Sequence, residues 1–201
     1  MNEITGEFTS GKIFLALSEA THLSETNYTL VKQLSDLQMR TIVITVNQPS
    51  PTLKTIYRKK GIDISRVLFI DAITKYALGG LPTDIDNAIF IGSPGNLTEI
   101  GIGITEMLKE NPDEKTCVII DSVNTMLVYL PDASVLKFIH FLSSKLRLMD
   151  SIGVFLAVEA GIDSVLMTQL TTFADEVLEV PTLPIEISKD VFNYCDTPPF
   201  F

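Results

Sequence analysis

The 201 residues include no tryptophan, two histidines, two cysteines and only 15 lysines and arginines against 25 aspartates and glutamates. Each scarcity excludes something. Two cysteines, Cys117 and Cys195, cannot build a disulfide framework, and they lack metal-ligand spacing. Cys117 opens an apolar run and is expected to be a buried small hydrophobe. His22 and His140 stand alone in the sequence, which argues against a histidine-based metal site. The formal net charge of −10 repels phosphate backbones, so nucleic acid is not an expected partner. The single cationic run, Tyr57-Arg58-Lys59-Lys60, is expected at the exposed end of a helix, where it complements the dipole. No apolar run reaches about 18 residues, and MNEITGEFTS lacks a basic-then-apolar leader pattern. The expectation is a soluble, cytoplasmic protein with no membrane partner.

What is present is apolar: 46% of the chain, enough for a sizeable core. Short runs rich in β-branched residues recur at 13–17, 41–46, 66–70, 88–91, 116–120, 153–158 and 176–180. They are continuous, not alternating, as strands buried on both faces of a parallel sheet are. Helical patterns fall between them at 26–38, 50–60, 97–110, 132–149 and 163–172, the clearest having Val135, Phe138, Ile139, Leu142, Leu146 and Met149 at helical spacing. Strand alternating with helix implies right-handed crossovers and a three-layer α/β fold, a mainly parallel sheet flanked by helices. No repeat or low-complexity linker divides the chain, so residues 1–201 read as one domain. Residues 72–87, AITKYALGGLPTDIDN, form the one long irregular stretch. The terminal DTPPFF is expected to dock on the body, the alternative being an apolar handle for a partner.

Near the start, GEFTSGKI (6–13) satisfies G-x-x-x-x-G-K, most of a phosphate-binding loop signature. Such a loop needs a strand before it and a helix after it, so that backbone N–H groups and a helix N-terminus converge on the phosphates. Only MNEIT precedes Gly6, and the strand-like IFLAL follows Lys12. Ile13 stands where a metal-binding hydroxyl belongs. The match lies ahead of the first strand and is rejected. The loop position proper, after IFLAL, holds EATHLSET (19–26). There Glu19 and Ser24 replace the two glycines, Glu25 the lysine, and only Thr26 fits. Two carboxylates would face ATP's own charge, and like charges about 4 Å apart repel by roughly 4 kcal/mol at an effective dielectric near 20.

Larger segments explain why a phosphate loop is sought there at all. TIVITVNQPSPTLKTIYRKKGIDISRVLFIDA resembles the second strand, helix and third strand of RecA-superfamily ATPases of the KaiC-like branch. TCVIIDSVNTM resembles that branch's Walker B segment, with Asp121 followed by Ser122. SIGVFLAVEAGIDSVLMTQLTTFADEVLEV resembles its next strand, helix and strand. The resemblance spans roughly residues 12–180 and implies a RecA-like P-loop NTPase fold. It also implies acidic residues at the end of the second strand, one of which activates water; here those positions hold Asn47 and Gln48, and neither amide is a general base. The family's basic, Gly-rich end section is replaced by PTLPIEISKDVFNY. Asp121, with Thr26 as a second contact, is all that remains of the metal apparatus, and the structural alternative is a buried Asp capping the next segment.

Three functional expectations follow. The first is a catalytically inactive, degenerate domain, with no ATP or Mg²⁺, that acts through a protein partner or as a homo-oligomer. The second is an unorthodox NTPase in which Lys12 reaches in from the start of the first strand. The third is a small-ligand site at the carboxyl ends of the strands, where Thr21, His22, Ser24, Asn47, Gln48, Asp121, Ser122 and Glu159 would converge. A receiver-type or flavodoxin-like domain is a weaker alternative, since VFLAVEAG offers no lysine. IFLAL is expected to be a central strand beside TCVII.

Overall fold

The apolar runs pair into one sheet in which every neighbour is parallel. A computed structural model describes residues 8–83 and 86–179. Along the chain these are β1 (Ile13–Ser18), α1 (Leu23–Asp36), β2 (Arg40–Thr45), α2 (Ser50–Lys59), β3 (Val67–Asp71), α3 (Thr74–Leu78) and β4 (Ala88–Phe90). Then come α4 (Leu97–Glu110), β5 (Thr116–Ile120), α5 (Val123–Tyr129), α6 (Asp132–Leu148), β6 (Ile152–Val158), α7 (Ser164–Phe173) and β7 (Glu176–Glu179). The strand order is β4-β3-β2-β5-β6-β1-β7.

The two-residue period of a strand divides its side chains between the two faces. Ile13, Leu15, Ile42, Ile44, Val118, Ile120 and Phe155 join a core with α4, α5, α6 and α7. Phe14, Val43, Cys117, Ile119, Val154 and Leu156 join the opposite core with α1 and α2. Every residue just named is at most about 2% exposed, and each such aliphatic or aromatic side chain contributes about 1.5–3 kcal/mol by burial. This is the three-layer α/β fold expected from the sequence.

Four local expectations change. β1 does not lie beside β5: β6 separates them, with Ile13 opposite Gly153 and Cys117 opposite Ile152. Ile13 and Leu146 pack closely on Gly153 of β6: a Cβ there would stand 2.8 Å from Ile13 Cδ1 and 2.9 Å from Leu146 Cδ1. The stretch 72–87 is not wholly irregular, since α3 occupies its first part and ends at Gly79 with φ +67°, the left-handed conformation glycine permits. Residues 123–129, to which the sequence pattern assigns no helix, form α5, started by Ser122 Oγ accepting the Thr125 N–H at 3.0 Å. Tyr57 is not an exposed member of the cationic run; it is fully buried between Tyr28 and Phe69, whereas Arg58 and Lys59 do end α2 in solvent.

Residues 8–12 lead directly into β1 through a turn closed by Lys12 N–H donating to Thr9 C=O at 3.3 Å. No helix follows it, as the rejection of GEFTSGKI requires. Gly6, Cys195, the segment PTLPIEISKDVFNY and the terminal phenylalanines lie outside the described residues. Among the described residues, no helix is long and apolar enough to cross a membrane.

Candidate functional site

Parallel pairing brings the carboxyl ends of all strands to one side of the sheet, where such folds place their crevice. Ser18, Thr45, Asp71 and Val158 end their strands there, and Asp121 directly follows β5. The structure brings the loop after β1, the turn after β2 and the end of β5 together around Asp121. What converges is a set of polar groups that largely hydrogen-bond to one another.

Asp121 is 5% exposed. Its Oδ1 accepts the Val46 N–H at 3.0 Å, and its Oδ2 accepts the Asn47 N–H at 3.2 Å. The Thr45 hydroxyl lies 2.7 Å from Oδ2 and also contacts the Gln48 carbonyl. Burial pushes the Asp121 pKa up to about 6, and these hydrogen bonds oppose that rise. Asp121 therefore caps the turn at the end of β2, while Ser122 is what caps the next helix.

Thr26, the hydroxyl that fits the phosphate-loop pattern, is buried with its Oγ1 2.9 Å from Ser18 Oγ. Residues 20–22 make a single 3-10 turn, in which the His22 N–H donates to the Glu19 carbonyl at 3.0 Å and so does not point at a ligand. Glu19 Oε2 lies 3.2 Å from His22 Nδ1. Ser24 Oγ accepts from Gln48 Nε2 at 3.2 Å. Asn47 is exposed, with Oδ1 3.4 Å from Thr125 Oγ1. Glu25 departs from expectation: it turns outward to Lys60, at 2.9 and 3.0 Å, and does not face the crevice. Lys60 also lies 5.0 Å over the Tyr28 ring, so the loop's lysine position is occupied by an ion pair with the end of α2.

Three participants escaped the sequence reading. Thr45 reads as one more β-branched strand residue, yet it bridges Asp121 and the following turn. Tyr57 donates its hydroxyl to Asn27 Oδ1 at 2.7 Å. Asn27 is a polar residue on the buried side of α1, and that mismatch was the available signal. Asn27 Nδ2 and Gln48 Oε1 have no protein partner. Both residues line a cavity of about 10 Å³ together with Ser24 and Asp121, the volume of one water molecule.

Both oxygens of Asp121 and the hydroxyl of Thr26 are turned to internal partners, and Glu19 occupies the head of the loop. Lys12 pairs with Glu176 at 2.5 Å, at the opposite end of β1 from the crevice, roughly 17–20 Å away for a strand of this length. No cluster of three or more potential metal ligands occurs among the described residues.

This architecture is that of the KaiC/RecA-like α/β proteins. The KaiC-like protein PH0186 of the hyperthermophilic archaeon Pyrococcus horikoshii OT3 superposes with a TM-score of 0.63 at 16% identity, over 91% of this chain and 79% of that one. The uncharacterized protein PH0321 of Pyrococcus horikoshii, solved in complex with an unknown peptide, gives 0.65 at 14% identity, over 87% and 79%. The flagellar accessory protein FlaH of Methanocaldococcus jannaschii gives 0.52 at 14%, over 87% and 73%. At these identities the likeness concerns the fold alone. Residues 28–180 match the Family of unknown function (DUF7504), and the chain belongs to that family. No curated protein matches the sequence.

Proposed function

We propose that residues 1–201 form one cytoplasmic RecA/KaiC-like domain that has given up ATP chemistry and acts, as a regulatory or scaffold protein, by associating with protein. The carrying observation is an apolar patch on the carboxyl side of the sheet. Tyr76, Leu78 and Leu81 are 53%, 66% and 65% exposed, and Val128 on α5 is 77% exposed. The Tyr76 and Tyr129 rings meet edge-on at 6.0 Å, so α3 and α5 touch there. Clustered exposed apolar side chains of this kind mark interfaces. PH0321, whose fold this chain shares, was itself solved with a peptide bound. The net charge of −10 favours a protein partner over nucleic acid.

Self-association is read by sedimentation. Leu78→Asp with Leu81→Asp is expected to weaken it at least tenfold, about 1.4 kcal/mol, with the thermal midpoint unchanged at dilutions where the native chain is monomeric, because neither side chain is in the core. A native chain that stays monomeric at high concentration sinks the homo-oligomer form of the proposal. Chemistry is tested separately by calorimetric titration with Mg-ATP, which is expected to give no binding heat. Glu25→Lys should not create turnover, since Gln48 is still no base and Glu19 and Ser24 still crowd the turn. ATP hydrolysis by the natural protein that vanishes in Asp121→Ala would overturn the inactive reading.

A further inference from the structure

A second apolar surface lies on the outer side of α4 and α6. α4 packs on β2 and β3 and α6 packs on β6, with β5 running between those strands. The two helices leave an open groove of about 800 Å³, with Leu97, Ile102, Phe138 and Phe141 as its apolar lining. Ile102 and Phe141 are 53% and 50% exposed, on helices whose opposite faces lie in the core. The rim is cationic on a chain of net charge −10. Lys109 and Lys137 line it against a single Glu106, and Lys145 Nζ stands 5.7 Å over the Phe141 ring. None of these three lysines forms an ion pair among the described residues. Two glycines of α4 have different surroundings. A Cβ on Gly103 would touch Ile70 Cδ1 at 3.6 Å and Ile89 Cδ1 at 3.7 Å, so that residue faces the sheet. A Cβ on Gly101 would meet Phe141 Cε1 at 3.8 Å, an ordinary contact. The fold therefore has room for a side chain at Gly101, and glycine is the weakest helix former after proline. What Gly101 supplies is depth. With Thr98 and Thr105 a turn to either side on the same face, it gives the groove a floor of short side chains.

We propose that this groove docks an acidic amphipathic helix of a partner protein. Its shape suits a helix, because two flanking helices with a low floor between them accept a third, laid in by its apolar stripe. From Leu97 to Lys109 α4 rises about 18 Å, the length of a partner helix of about twelve residues. Ile102 and Phe141 would receive the stripe. Charge selects the sign of the partner: carboxylates beside the stripe would meet Lys109, Lys137 and Lys145, which this chain leaves without ion pairs, whereas a basic helix would meet three like charges. A second copy of the same face is disfavoured, because two-fold pairing would set lysine rim against lysine rim. Tyr76, Leu78 and Leu81 do not line the groove, so this proposal stands or falls separately from the association proposed above.

The probe is a fluorescent peptide of about fifteen residues, with leucine at helical spacing, glutamate flanking the leucines and alanine elsewhere. Its counterpart carries lysine in place of every glutamate. Fluorescence anisotropy with the native full-length chain should give the acidic peptide a Kd on the order of 10 μM, at least about tenfold tighter than the basic one. Lys109→Glu with Lys137→Glu should reverse that preference. Gly101→Leu fills the floor and favours the helix, so it should weaken the acidic peptide at least about tenfold while the thermal midpoint does not fall. Leu78→Asp with Leu81→Asp should leave peptide binding unchanged. Failure of the acidic peptide to bind, equal binding of both peptides, or binding that survives Gly101→Leu would each overturn the proposal. So would a shift of the peptide-free chain toward monomer in Gly101→Leu, which would put a second copy in the groove. Binding of the native chain to phosphatidylglycerol vesicles that is lost in Lys109→Glu with Lys137→Glu would assign the lysines to a membrane surface and overturn it as well.

Discussion

Asp71→Ala is expected to lower the unfolding free energy by about 4 kcal/mol, the largest loss from any single polar side chain at this end of the sheet. Asp71 is fully buried at the end of β3. Its Oδ2 accepts the Ser50 N–H at 2.7 Å and the Thr74 hydroxyl at 2.5 Å, and its Oδ1 accepts the Ile73 and Thr74 N–H groups at 3.0 and 2.8 Å. One carboxylate thus holds the first turns of both α2 and α3. Alanine leaves three backbone donors and a hydroxyl without an acceptor, each costing about 1–3 kcal/mol when buried, moderated where water enters. Glu25→Ala is the control. It breaks an exposed ion pair with Lys60 whose carboxylate is 56% accessible, and exposed pairs are worth about 0–1 kcal/mol. Urea unfolding at fixed pH, with the slope checked for constancy, should separate the two variants clearly. A loss below about 1 kcal/mol for Asp71→Ala would show that α3 reorients freely. The same result would weaken the association proposal, because α3 carries Tyr76 and Leu78.

The sheet was legible because its strands are buried on both faces and therefore announce themselves as apolar runs whatever their neighbours. All seven runs became strands within a residue or two. Their spatial order was not legible: which strand sits between β1 and β5 depends on how the crossovers pack, which no single segment encodes. α3 and α5 escaped because they are five and seven residues long, too short for a helical period to show. Their starts depend on Asp71 and Ser122, residues that looked like parts of strand motifs. At the site, Ser24 of the loop after β1 and Asp121 line one small cavity. Glu25 stands on the first turn of α1. That its side chain leaves the crevice for Lys60 follows from a contact 35 residues distant, which no local pattern encodes. The network of Thr45, Asn47 and Gln48 around Asp121 is likewise long-range, between β2 and β5.

That network gives the protein an unusual pH dependence. Burial raises the Asp121 pKa from 3.8 to about 6, so between these values the folded chain holds a proton the unfolded chain has lost. The sign follows from linkage: the contribution is fully present below about pH 3.8 and disappears as pH rises through 6, amounting to about 3 kcal/mol in all. Two other carboxylates act in the opposite sense. Asp63 is held below the usual range by the Ser65 N–H. Asp175, despite its partial burial, is held low by the Ile13 N–H and Arg147. Their stabilisation is present above about pH 4 and lost below it. The unfolding free energy should therefore peak near pH 4 to 5, falling by roughly 1 kcal/mol from pH 5 to pH 7.5 through Asp121 alone. Asp121→Asn keeps an acceptor for one of the N–H groups and cannot titrate, so that part of the slope should vanish while stability at pH 5 drops. An equal slope in the variant would assign the proton to another group.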